Sequence, residues 1–171
     1  ARALDEGTPL PVVERALAPI GLPMGPFDLI GLVGWKVAAH VQDTMVAAFP
    51  DRFYASENLH RLAEVDGPLS KTKLGKVDDL SKAGKKAVTL GKTAVTEEVI
   101  LRRVEDGLAS EIKIMLDEHV VAAAEDIDLC LILGAGWPFQ AGGATPYLDR
   151  VGASERNFDA TFHDPIVAGA R

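Results

Sequence analysis

The sequence predicts an all-α fold, and two observations carry that prediction. No stretch alternates apolar and polar residues as a half-buried strand for more than a few positions, whereas apolar residues recur at steps of three and four through most of the chain. The chain is also written twice. Leu4-Asp5-Glu6 returns as Leu116-Asp117-Glu118 at an offset of 112, a register that also pairs Leu17 with Leu129, Ile20 with Ile132 and Pro26-Phe27 with Pro138-Phe139. Gly21-Leu22-Pro23 pairs with Gly136-Trp137-Pro138 at 115, and Val33-Gly34 with Val151-Gly152 at 118. Matches in one order, separated by small insertions, are the mark of a diverged duplication. A long helical run precedes Leu116, but only Ala1-Arg2-Ala3 precede Leu4, so the first copy is expected to be truncated at its N-terminus. The expected organisation is a truncated first helical repeat over 1–67, a lysine-rich linker over 68–94, and a second, degenerate repeat with a C-terminal tail over 95–171.

Within the first copy, Thr8 is expected to cap a helix that Pro9 opens, with Leu10, Val13 and Leu17 on its inner face and Pro19 and Gly21 ending it. Leu22-Pro23-Met24-Gly25-Pro26 forms a constrained loop, because proline fixes φ and glycine permits unusual turns. A short helix over Phe27–Val33 follows, then a longer one after Gly34 with Val37, Val41, Met45 and Ala48 on one face, Lys36, His40 and Asp43 on the other, and Pro50 as its stop. Ser56-Glu57 caps the next, whose stripe is Leu59, Leu62 and Val65. Between Pro68 and Lys92 stand seven lysines, two acids and three glycines with little periodicity. Two readings stay open there: a solvated, mobile linker, or a basic stripe that touches the phosphates of a nucleotide or coenzyme.

In the second copy, Thr96-Glu97-Glu98 starts the longest helix, with acids suited to its dipole. Leu101, Val104, Leu108, Ile112 and Met115 mark its apolar face. Glu125-Asp126 open another helix that ends at Gly134, and Thr145-Pro146 begin a last short one. Beyond Gly152 the apolar pattern fades, so no counterpart of the long helix after Gly34 is expected.

At 171 residues with 47% hydrophobic content the chain can bury a core. A net charge of −7 and a pI near 5.1 argue against nucleic acid or an anionic membrane as its main partner. No apolar run is long enough to span a bilayer and no signal peptide opens the chain, which suggests a cytoplasmic protein. Cys130, the single cysteine, lies in the apolar run Ile127–Leu133 and is expected to be buried. Chemistry is sparse: the residues suggest no catalytic group and no metal ligands, since His40, His60, His119 and His163 occur singly. Gly134-Ala135-Gly136 lacks the preceding strand and third glycine of a dinucleotide loop, so a helix C-cap with an aromatic plug is expected. Asp5-Glu6 and Asp117-Glu118 read as solvated helix ends.

Leu22-Pro23-Met24-Gly25-Pro26-Phe27-Asp28-Leu29 with Leu32-Val33-Gly34, and Glu125-Asp126-Ile127-Asp128 with Leu133-Gly134-Ala135-Gly136-Trp137-Pro138, closely resemble the C-terminal domain of 3-hydroxyacyl-CoA dehydrogenases. Two tandem copies, the second continuing through Phe139, Gly142-Gly143 and Thr145–Arg150, are similar to the end of the multifunctional fatty-acid oxidation α-subunit. The lysine-rich stretch does not share the resemblance. The family implies an upstream NAD-binding Rossmann domain, absent from this chain, that carries a catalytic histidine, its glutamate partner and a substrate-binding serine. It also implies an Asn-Arg pair on the first helix of the first repeat, which falls before Ala1. In the second copy that position is Arg102, which has no acceptor for a hydrogen bond, so this copy is expected to be catalytically empty.

What the resemblance leaves to this chain is one wall of a substrate cleft, formed by Pro23, Met24, Gly25, Pro26 and Phe27, where a thioether and an aromatic ring suit an acyl-CoA substrate. The alternative is that Met24 and Phe27 merely plug the core of the repeat. Three functional readings follow. The chain is the C-terminal region of a β-oxidation dehydrogenase and inactive alone; or it is a non-catalytic module that forms a homo-oligomer or docks a thiolase subunit; or it is a helical acyl-CoA binder that uses the linker lysines.

Overall fold

In the computed structural model, which describes residues 1–65 and 79–164, ten α-helices carry the chain, as the periodicity predicts. The chain divides into two units: Ala1–Ala18 with Met24–Glu97, and Pro19–Pro23 with Glu98–Arg171.

The first unit begins with α1 (Arg2–Asp5) and α2 (Leu10–Ala16), whose Leu4, Leu10, Val13 and Ala16 are buried. Thr8 does not cap α2, which Pro9 precedes without a side-chain cap. Thr8 is 1% exposed and its hydroxyl accepts the Val95 amide at 2.9 Å, a long-range bond that outcompetes the local one. Helix α3 (Pro26–Val33) opens on a proline, where the absent amide costs nothing. Helix α4 (Trp35–Ala48) then runs beside α5 (Glu57–Ala63), which Ser56 caps by accepting the Leu59 amide at 3.2 Å.

The inner face of α4 is not the valine stripe. Val37 and Val41 are 52% and 54% exposed, and Ala39 is buried against Leu59 and Ala63 with Trp35 and Ala38 alongside. Gln42 decides this rotation. Its side chain accepts the Ser56 amide at 3.0 Å and donates to the Ser56 carbonyl at 3.2 Å, so the Ala39–Gln42 side must face α5. Lys36, His40 and Asp43 are exposed as expected.

The lysine-rich stretch also differs from its expectation. Residues 68–78 lie outside the described residues; after them Lys82, Lys85, Lys86 and Lys92 are exposed, while the backbone forms a helix and is hydrogen-bonded to the start of the first unit. Leu80 is buried, Ser81 caps α6 (Lys82–Ala87), and the backbone that follows is tied to the start of the chain: Gly91 N–H donates to Asp5 O at 2.7 Å and Thr93 N–H to Glu6 O at 3.0 Å. Buried Asn58 holds the same junction, donating to Asp5 Oδ1 and Thr89 O at 2.7 and 2.9 Å and accepting Thr89 N–H at 2.8 Å. Asp5 is therefore not a solvated helix end.

In the second unit α7 (Glu97–Asp117) buries Ile100, Glu105, Ala109 and Ile112, a face turned from the predicted stripe, of which only Ile112 is fully buried. Glu105 is drawn inward because it accepts the Tyr147 hydroxyl at 2.6 Å and faces Arg156 at 3.8 Å. Ala109 and Ile112 share one buried cluster with Ile127, Leu148 and Ala153. Helix α8 (Ala124–Ala135) buries Ala124, Ile127 and Asp128, which leaves Cys130 exposed on the other side, contrary to expectation. It ends as expected in a glycine cap: Gly136 is left-handed (φ 69°) and Trp137 N–H reaches Leu131 O at 3.0 Å. The aromatic plug is Trp137, 5% exposed, not Phe139, 80% exposed. Helix α9 (Ala144–Arg150) follows, and the chain past Gly152 forms one more helix, α10 (Ala153–Phe158), which the faded apolar pattern hid. Polar ties to α7 hold it, with Arg156 to Asp106 at 2.7 Å and Ser110 to Asn157 at 3.1 Å.

The two expected copies share some backbone turns. Gly7 (φ 108°) and His119 (φ 55°) end α1 and α7 with the same pair of bonds, Gly7 N–H to Leu4 O with Thr8 N–H to Ala3 O, and His119 N–H to Leu116 O with Val120 N–H to Met115 O. Gly34 and Gly152, both at positive φ, precede α4 and α10, so the second copy does contain a shortened counterpart of the long helix. Between these points the register drifts. Gly25-Pro26-Phe27 corresponds in structure to Gly143-Ala144-Thr145 rather than to Pro138-Phe139.

Candidate functional site

The segment Pro23–Phe27 is built by α2 and α3. Pro23 and its neighbour Leu22 belong to the second unit, where Pro23 Cγ lies 3.1 Å from the position a Cβ on Gly136 would take. Gly21 stands at the same distance from Pro138 Cγ, so the two Gly-x-Pro loops pack reciprocally. Met24, Gly25, Pro26 and Phe27 belong to the first unit. There Phe27 is 4% exposed and stacks on Trp35, with ring centroids 6.0 Å apart and 22° between planes. Pro23 is exposed and Met24, Gly25 and Pro26 are half-buried.

One residue that sequence reasoning missed organises this segment. Glu14, on α2, accepts the Phe27 amide through Oε1, and its Oε2 occupies the space that a Cβ on Gly25 would need. Burial pushes the Glu14 carboxyl above the usual carboxylate range, Asp28 adds to that shift, and the amides of Phe27 and Asp28 oppose it. Nothing in the local spacing marks Glu14, which reads as an exposed helix position; its counterpart in the second copy is the only clue.

That counterpart is Asp128 on α8. Its Oδ1 accepts the Thr145 amide at 2.8 Å, its Oδ2 accepts the Thr145 hydroxyl at 2.6 Å, and its side chain fills the place of a Cβ on Gly143. Because that hydroxyl proton goes to Asp128, His163 Nε2 donates to Thr145 Oγ1, at 2.6 Å. Asp149 then accepts the amides of Phe162 and His163 at 2.9 and 3.0 Å. Thr145 is 0% exposed and this hydroxyl–imidazole–carboxylate set is closed to substrate, so it holds Phe162 and His163 in place rather than acting as a nucleophile. The other expected singletons lie apart: His60 pairs with Asp43 at 2.9 Å on the surface. Asp117, at the end of α7, pairs with Lys113.

A cleft of about 340 Å³ in the first unit is lined by Asp5, Tyr54, Glu57, Asn58, Arg61 and Thr89. Its polar lining does not suit an acyl chain. The run Gly134–Phe139 does not fit a dinucleotide either: α8 precedes it where a strand is needed, and its glycine serves as a helix C-cap instead of opening a helix toward a pyrophosphate.

Comparison with known proteins bears out the resemblance read from the residues. Residues 1–79 match the family 3-hydroxyacyl-CoA dehydrogenase, C-terminal domain. The fatty acid oxidation complex subunit alpha of Acinetobacter baumannii (strain SDF) is 29% identical over 173 residues, covering 89% of this chain and 24% of that protein. The proteins of the same name from Acinetobacter baylyi and Pseudomonas putida are 28% and 27% identical, covering 89% and 91% of this chain. The chain spans about a quarter of the length of these relatives.

Proposed function

We propose that this chain is the helical C-terminal region of an NAD-dependent 3-hydroxyacyl-CoA dehydrogenase of fatty-acid oxidation. Its two repeats fall within 1–67 and 95–171, and the segment Pro23–Phe27 forms one wall of the acyl-CoA cleft. The match of residues 1–79 to the dehydrogenase C-terminal domain carries the reading. The longer protein would oxidise a 3-hydroxyacyl-CoA to the 3-oxoacyl-CoA, passing hydride to NAD. The run Gly134–Phe139 does not fit that cofactor, so it would be held by another segment, and the contribution of the described residues is binding. Met24 would offer the acyl chain a flexible thioether, and the cleft would exclude water from it. Assembly with a second copy or with a thiolase subunit, in the cytoplasm, belongs to the same proposal.

The test is steady-state kinetics of the longer protein with 3-hydroxyacyl-CoA substrates of increasing chain length. Met24→Ala should raise KM for long chains by about threefold to tenfold, the loss expected for removing part of one buried apolar side chain, and leave kcat unchanged. An unchanged KM at every chain length overturns the cleft assignment. A change confined to sedimentation behaviour would favour the assembly module instead.

A further inference from the structure

In both copies a carboxylate on one helix reaches across to the start of the next and takes the place of a glycine's missing side chain. Glu14 does so at Gly25 and Phe27, Asp128 at Gly143 and Thr145. The second copy seals its version with Thr145 and His163. The first copy has Phe27 where Thr145 stands, and its carboxylate holds the segment assigned above to the acyl cleft.

We propose that Glu14 is the positioning residue of this cleft: its carboxylate clamps the Gly25–Phe27 backbone to α2 and so sets where Met24 presents its thioether to the acyl chain. The proposal rests on the cleft reading. Three features support it. A hydrogen bond from a backbone amide to a carboxylate is charge-assisted and directional, so it fixes the α3 N-terminus more tightly than apolar contact can. Any side chain at residue 25 would expel the carboxylate, so Gly25 is part of the device although its own backbone (φ −74°) is ordinary. Phe27 is anchored twice, by its amide on Glu14 and by its ring on Trp35, which braces the turn that carries half-buried Met24. Asp28, the charged side chain that faces Glu14, shares the site.

The clamp is tested first in the 171-residue chain, by following the Phe27 amide resonance across the acidic range. It should titrate with Glu14, and the step should vanish in Glu14→Gln. A Phe27 amide that does not respond overturns the proposal whatever the cleft does. Kinetics of the longer protein come second. Glu14→Ala should raise KM for long-chain 3-hydroxyacyl-CoA about fivefold, the ratio corresponding to one hydrogen bond, with kcat and short-chain KM unchanged. Gly25→Ala should reproduce it, and Glu14→Gln, which keeps an acceptor, should restore most of the affinity. A merely structural role would instead lower the folded fraction and affect all chain lengths alike. If Met24→Ala raises long-chain KM and Glu14→Ala does not, the cleft reading stands and the positioning role fails. If Met24→Ala itself has no effect, the cleft reading fails, and the clamp seen by resonance is only a fold element.

Discussion

His119 sits in the left-handed region at φ 55°, where the matching residue of the first copy is Gly7. A side chain with a Cβ is strained there, so His119→Gly should stabilise the chain by up to about 1 kcal/mol, read from the denaturant midpoint. A loss of stability would mean that the imidazole makes a contact worth more than the strain. The two tyrosines give a second residue-scale prediction. Burial raises the Tyr147 hydroxyl well above its ordinary value, with the Glu105 carboxylate adding to the shift, and burial also raises Tyr54, with Asp5 adding. An acid whose folded value is raised favours the protonated folded state. Its contribution is complete below about pH 10 and lost as pH climbs through the folded value. Absorbance titration should therefore show no tyrosine ionising at the ordinary pH, with Tyr147 released only on alkaline unfolding; Tyr147→Phe should leave one titrating group. Glu105 itself was illegible in the sequence. A glutamate inside an apolar helix face looks solvated until the tyrosine that donates to it, 42 positions on, is folded against it.

Elements were legible where the signal was local and hidden where a distant polar partner intervened. The cap of α5 and the glycine end of α8 follow from residues within a few positions of one another. The rotation of α4 does not, because Gln42 is committed to the backbone of Ser56, and neither does the return of residues 79–95 to the chain start, which depends on Asn58. Asn58 is 2% exposed and serves three partners. Asn58→Ala should cost roughly 2 kcal/mol, since it removes the three hydrogen bonds that this buried side chain makes to Asp5 and Thr89. Amide exchange at Thr89, Gly91 and Thr93 should quicken more than exchange in α7. Equal quickening throughout would show that Asn58 supports the whole first unit and not this junction.

At the scale of the whole molecule, Glu14 links the cleft segment to the pH dependence of folding. Its raised carboxyl value makes the folded chain hold a proton more tightly than the unfolded one. That contribution is present below about pH 4.3 and is lost as pH rises through the folded value. The difference in stability between the chain and Glu14→Gln should accordingly change across this window and be flat above it; a flat difference throughout would show the carboxyl to be solvated. By itself the sequence determined the helical class, the duplication, most helix ends and the resemblance of its loops, because periodicity, proline, glycine and motif order act over short distances. Only the tertiary structure decided which face of α4 and α7 turns inward and that Cys130 faces out. It alone showed that the end of the lysine-rich stretch is folded and that Glu14 and Asp128 are equivalent. Each of these depends on a buried polar group finding its partner across the fold, and such a group has no position in the sequence that marks it in advance.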